Sequence, residues 1–236
     1  MRDWQPVLGL PLWVWVFVLP SLLALICSFA PAPMRPVMRP LWRLLDGVYL
    51  LAGIMAAMFM MTILALILGG MIARWANVAF PGSTEFAGYA MACTSFFALA
   101  HALTRGAHIR VSIFLNLGQT KRWLDPLALF ISAITATYFA RYAIKTTVFS
   151  EMLNDRTQGQ DQLPEWLITL LSLPAAPLAE WPEIWSARGS DWVFTPVWIP
   201  QLSMSIGACL LALCLWDMLT RTLIEGANPI RAESVE

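Results

Sequence analysis

The run GVYLLAGIMAAMFMMTILALILGGMIA, Gly47 to Ala73, holds 27 residues without a charge, between Asp46 and Arg74. As an α-helix it is about 40 Å long, more than the roughly 30 Å of hydrocarbon in a bilayer. A stretch of this kind reads as a membrane-spanning helix. Working outward from it, uncharged gaps of spanning length lie between Asp3 and Arg35, between Glu85 and Arg105, and between Asp191 and Asp217. A fifth candidate runs from Pro126 to about Phe149, with Arg141 and Lys145 in its final third. Such long cationic side chains near a helix end reach the headgroups by snorkelling.

The composition agrees. The chain has 236 residues, 58% of them hydrophobic and 13% charged, against roughly a quarter charged in soluble proteins. These features predict an all-α integral membrane protein, a helical bundle of about five transmembrane helices with short interfacial helices. Fifteen basic and 15 acidic residues balance to a formal net charge of zero, so no global field draws in a polyanion and nucleic acid is excluded as the main ligand. Cys27, Cys93, Cys209 and Cys214 all fall inside uncharged stretches, where a thiol packs as a small apolar side chain. They form neither a disulfide framework nor a zinc motif.

If five segments alternate sides, nine basic residues (Arg35, Arg39, Arg43, Arg105, Arg110, Lys121, Arg122, Arg221 and Arg231) fall on one side and four on the other. The positive-inside rule makes the side with nine cytoplasmic. The carboxyl terminus is then cytoplasmic, and the amino terminus and the loop 150–193 lie outside, which is the periplasmic side if the membrane is a bacterial inner membrane. The first segment, residues 1–30, is too long for a signal-peptide core, and Pro31 follows its candidate cleavage site. Pro11 and Pro20 leave a kinked span or an in-plane helix open, and length favours the span. The Pro- and Arg-rich run 31–47 reads as a stiff cytoplasmic linker. Residues 222–236 form a cytoplasmic tail. Trp166 to Ala179 is apolar but too short to cross and is broken by Pro174 and Pro177. It reads as an interfacial segment within the outer loop, in contact with membrane lipids.

Small residues at four-residue spacing let helices approach closely in a membrane. Ala52 with Ala56, Gly53 with Ala57, Gly88 with Ala92, and Ser203 with Gly207 fit that pattern. Met55, Met58, Met60 and Met61 read as packing filler. No phosphate loop, nucleophile elbow or intramembrane carboxylate pair is present, so no catalytic, cofactor or metal site is assigned and the chain is read as a non-enzyme. His101 and His108, seven apart, suit no haem held between helices. The densest polar cluster is Arg105, Gly106, His108, Ile109 and Arg110, at the end of the third segment. Gly106 can take the left-handed conformation that stops a helix, Arg105 opposes the negative end of its dipole, and His108 and Arg110 supply donors.

In these features the sequence resembles the small membrane subunit, or small permease, of tripartite ATP-independent periplasmic (TRAP) transporters. Glu85 opens a helix that ends about twenty residues later in Arg105-Gly106-Ala107-His108-Ile109-Arg110-Val111, and Pro196-Val197-Trp198-Ile199-Pro200 opens the last helix. The pattern covers about Asp46 to Arg221, within a small-permease domain of 48–221. Ser112 stands where the family usually has an acidic residue. The family usually has four spans, so the first segment and the long loop are additions.

The resemblance implies a non-enzymatic subunit of the bacterial inner membrane, working with a large permease subunit and a periplasmic substrate-binding protein. It implies uptake of organic anions such as carboxylates, driven by an ion gradient, with sodium as the expected ion. Glu85, Arg105, Gly106, His108, Ile109, Arg110, Pro196 and Pro200 are the expected assembly residues. The outer loop is acidic, and Glu180 and Glu183 beside its apolar patch are expected to help dock the binding protein. The competing reading is a haem- or quinone-linked membrane anchor of a redox enzyme.

Overall fold

The computed structural model describes residues 6–106 and 121–226, with backbone alone at 121–123 and 175. Four helices are long and apolar enough to cross a membrane: α2 (Pro31–Trp75), α3 (Ser83–Thr104), α4 (Lys121–Met152) and α7 (Trp198–Glu225). Ahead of them come a hairpin of β1 (Pro6–Val7) and β2 (Leu10–Pro11), a π-helical turn at Val14–Val18, and α1 (Leu19–Phe29). The loop between α4 and α7 carries β3 (Gln162–Pro164), α5 (Glu165–Ser172), α6 (Trp181–Ser186) and β4 (Trp192–Phe194), with β3 and β4 paired antiparallel.

The N-terminal segment corrects the expectation of a fifth span. Its apolar helix covers only Val14–Phe29, about 24 Å. Upstream, the hairpin stops the helix, and the Trp15 indole N–H donates to the Val7 carbonyl at 3.1 Å. Trp15 shares a cavity with Leu213 and Trp216 of α7, and Leu213 lies about 22 Å along that helix from Trp198. The segment therefore flanks only the half of the bundle near the end of α7. Crossings by α2, α3, α4 and α7 alone would put the start of α2 and the end of α7 on one face.

The run 31–47 is helix, not a linker. Pro31 opens α2 at a position where the missing N–H costs no hydrogen bond, and Pro36 and Pro40 lie inside the helix one turn apart. At 45 residues α2 is about 67 Å long, so it extends well beyond the hydrocarbon.

The core centres on α7, which packs against α4, α3, α1 and α2, while α2 packs mainly on α3. Alanines let these backbones approach. Ala133, Ala136, Ala140 and Ala143 of α4 meet Ala208, Ala212, Leu215 and Leu219 of α7. Two polar pairs fix the register: Trp216 Nε1–H donates to Thr137 Oγ1 at 3.0 Å, and the Thr147 and Ser205 hydroxyls lie 2.8 Å apart. Both threonines also donate to or share the carbonyl four residues back, a bond a helix can supply without water.

Ser203 and Gly207 make the close approach their spacing predicts. A Cβ on Gly207 would lie 2.5 Å from the Phe96 carbonyl oxygen of α3. Gly53 is likewise filled by the His101 ring, 2.6 Å from where its Cβ would stand. Gly88 has open space around it. Met58, Met60 and Met61 are exposed on α2 rather than buried as filler.

Candidate functional site

Two polar clusters clamp the helices at opposite ends of the bundle. At the loop end, Glu85 stands in the first turn of α3, and its Oε1 accepts the Gln160 backbone N–H at 3.1 Å. Next to it, Asp161 is fully buried. Its carboxylate accepts the Tyr89 hydroxyl of α3 at 2.5 Å and the Thr157 hydroxyl at 2.9 and 3.0 Å. Its carbonyl accepts the Thr195 backbone N–H at 3.1 Å and the Thr195 hydroxyl at 3.2 Å. Burial alone would raise the Asp161 carboxyl, but the hydroxyls of Tyr89, Thr157 and Thr195 outweigh it and hold it below the usual carboxylate range. Gly82, with φ of +74°, lets the chain enter α3 against Asp161, whose Cα would lie 2.9 Å from a Cβ there.

The same knot holds the start of α7. Pro196 is fully buried, and the Val197 N–H donates to the Asp155 carbonyl at 3.0 Å. Arg156 Nη1 donates to the Phe194 carbonyl at 3.0 Å. Pro200 lies in the first turn of α7, and its carbonyl accepts the Ser203 hydroxyl at 2.8 Å. Glu85, Pro196 and Pro200 thus share one end of the bundle, joined through Gln160, Asp161 and Thr195. Asp161 counted as loop charge in the sequence, yet as a buried tie between α3 and α7 it offers nothing to a docking partner.

The other end carries a charged cluster that the sequence reading missed. Arg221 Nη2 lies 2.7 Å from Asp46 Oδ1 and 3.0 Å from Asp217 Oδ2, and its Nε donates to Asp217 Oδ1 at 3.1 Å. The guanidinium also donates to the Trp42 carbonyl at 3.2 Å and lies 5.4 Å from that ring's centroid. The Asp217 side chain is 0% exposed, Arg221 14% and Asp46 54%. Beyond this cluster Arg35 faces Glu225 at 3.9 Å. The local signal was available, since Asp217 and Arg221 are four residues apart on one helix. Asp46 had served only to mark the edge of an apolar gap.

Of the expected assembly motif, Arg105 follows the last residue of α3, and its N–H donates to the His101 carbonyl at 3.2 Å. Gly106 takes φ of +71°, the left-handed stop its position predicts. His108, Ile109 and Arg110 lie outside the described residues. His101 fills the α2–α3 contact at Gly53. Among the described residues no group of three or more His, Cys, Asp or Glu side chains is placed to hold a metal ion.

Glu180 and Glu183 are exposed on the loop between α4 and α7, at the end of a 3-10 turn and in the first turn of α6. Around them the loop exposes Trp166, Leu170, Leu178, Trp185 and Trp192. Trp185 stacks on the Arg188 guanidinium at 4.2 Å. The long apolar face of α2 is also uncovered. Only 11% of the most apolar window of α2 is buried, as against 61% for α7.

The family model for the DctQ component of tripartite ATP-independent periplasmic transporters matches residues 63–180. No curated protein and no solved structure matches the chain.

Proposed function

Because the chain belongs to the DctQ component family of tripartite ATP-independent periplasmic transporters, we propose that it is the frame on which a large permease subunit is assembled in the inner membrane. As a member it is a small transmembrane subunit of such a transporter. The observation that carries the scaffold reading is the uneven burial of its helices. α7 is packed on several sides, whereas α2 leaves Leu51, Ile54, Met58, Met61, Leu64 and Ile67 exposed along its length. An apolar helix face of this size suits a second set of membrane helices.

In this reading the system imports organic anions such as carboxylates, driven by an ion gradient, with sodium the expected ion, and a periplasmic binding protein delivers the substrate. The face shared by the start of α2 and the end of α7 is cytoplasmic, because it collects Arg35, Arg39, Arg43 and Arg221. The amino-terminal segment then belongs to the cytoplasmic half, since the earlier assignment of a periplasmic amino terminus depended on a fifth crossing. Glu180 and Glu183 project from the opposite face, where a binding protein would arrive.

The test is co-purification and reconstitution. A tagged chain should carry the large subunit through detergent extraction, and liposomes should take up substrate only with all components present. Uptake by this chain alone would defeat the proposal. So would full uptake by the large subunit and binding protein without it.

A further inference from the structure

An apolar groove of about 650 Å³ runs along the outside of the α4–α7 pair. Its floor is α7 from Trp198 to Leu213, about 22 Å of helix. One wall is α4 from Ile144 to Glu151, and Leu171, Ser172 and Pro174 at the end of α5 close it at the loop end. Of the hydroxyls that line the groove, those of Thr147 and Ser205 satisfy each other at 2.8 Å and that of Ser172 donates to the Thr169 carbonyl at 2.9 Å. The floor therefore offers no spare polar group to water or to a peptide. At the mouth stands Glu151, exposed and with no ion-pair partner among the described residues.

This polarity profile is that of a phospholipid: a charge at interfacial depth, then apolar surface for longer than the roughly 15 Å that one leaflet contributes. We propose that the groove seats one acyl chain of an amine-bearing phospholipid, with its ammonium group on the Glu151 carboxylate. An acyl chain gains little by moving from the bilayer to an apolar groove, since both are hydrocarbon. Selectivity must then come from the headgroup. The carboxylate at the mouth favours an ammonium and repels an anionic headgroup that lacks one.

Native mass spectrometry of the full-length chain in mild detergent, titrated with dioleoyl phosphatidylethanolamine or dioleoyl phosphatidylglycerol, tests this. One phosphatidylethanolamine should be retained, with occupancy about threefold above that of phosphatidylglycerol, as expected of a partly exposed charge pair. Glu151→Gln should bring the two lipids to equal occupancy. Ile206→Trp, at a membrane-facing position on the groove, should fill the space and remove the retained lipid. Equal occupancy of both lipids on the unmodified chain overturns the proposal, as does a lipid still retained by Ile206→Trp. Loss of the lipid on adding the large subunit would identify the groove as a protein interface and overturn it too. Glu151→Gln alters only an exposed side chain and keeps the test decisive if Ile206→Trp does not fold.

Discussion

Replacing Arg221 by methionine should be the most damaging single change at the charged end of the bundle. It preserves most of the side-chain length but removes the only cation that contacts Asp217 among the described residues, and the Asp217 side chain is 0% exposed. Breaking a buried ion pair by deleting one partner costs about 3 to 5 kcal/mol, because the remaining charge is left desolvated. Asp46→Asn removes the other contact of the same guanidinium, but Asp46 is 54% exposed. Water screens that pair and replaces it, so the loss should stay below about 1 kcal/mol. The double variant Arg221→Met with Asp217→Leu removes both buried charges, and apolar pairs of similar volume often replace a buried ion pair at little cost. It should recover most of the stability lost in the single variant. Equilibrium unfolding in mixed micelles, followed by circular dichroism, measures all three. If Asp46→Asn costs as much as Arg221→Met, or if the double variant is no better than the single, the cluster is not organised around a buried Asp217.

Three further outcomes follow from the same geometry. Gly207→Ala should cost about 1 to 3 kcal/mol as an overpacked contact, because its Cβ meets the Phe96 backbone, whereas Gly53→Ala meets only the His101 ring and should be rescued by His101→Ala, with thermal unfolding as the readout. The depressed Asp161 carboxyl makes its ionised form stabilising, so its contribution is complete above the unfolded value of about 3.9 and is lost as pH falls through the folded value; acid unfolding should start at higher pH in Tyr89→Phe, which removes one donor, and an unchanged acid transition would refute this. Charge reversal at Glu180 and Glu183 should slow uptake by about two- to tenfold at limiting binding protein and low salt while leaving complex assembly intact, since exposed charges act mainly on encounter; uptake unchanged under those conditions rules out docking there.

The spans were legible in the sequence because hydrocarbon penalises every charge, so the gaps between charges trace the membrane directly. The stop at Arg105 and Gly106 was legible because helix termination is local chemistry. The N-terminal segment was misjudged for a reason of the same kind: a charge gap counts residues, and the gap from Asp3 to Arg35 includes a hairpin and a reversal at Ala30 that consume length without crossing anything. Asp161 and Asp217 were invisible as structural residues because burial is a tertiary property. Asp46 reaches Arg221 across 175 positions of chain, and no spacing rule spans that distance. Deleting Asp155 to Asp161 would remove the acceptors that hold Tyr89, Thr195 and Val197 in place.

The placement of these clusters bears on what the frame can do. Inside the bilayer there is no hydrophobic effect to press helices together, so the middle of the bundle depends on small residues and shape, as at Gly207 against Phe96 and along the alanine row of α4. Contacts of that sort resist compression but supply few directional bonds against sliding. Besides the Trp216–Thr137 and Thr147–Ser205 bonds between α4 and α7, the ties made by charged side chains lie at the ends. Asp161 with Tyr89 and Thr195 ties α3 to the chain entering α7, and Arg221 with Asp46 ties the far end of α7 to α2. A helix fixed at both ends cannot change its register with its neighbours without breaking one clamp. The packed α7 is therefore the fixed element of the bundle, and the uncovered face of α2 is carried by it as a surface of constant shape. A frame tied at both ends holds that face in one shape, so the two clamps are the contacts on which the shape of the α2 surface depends.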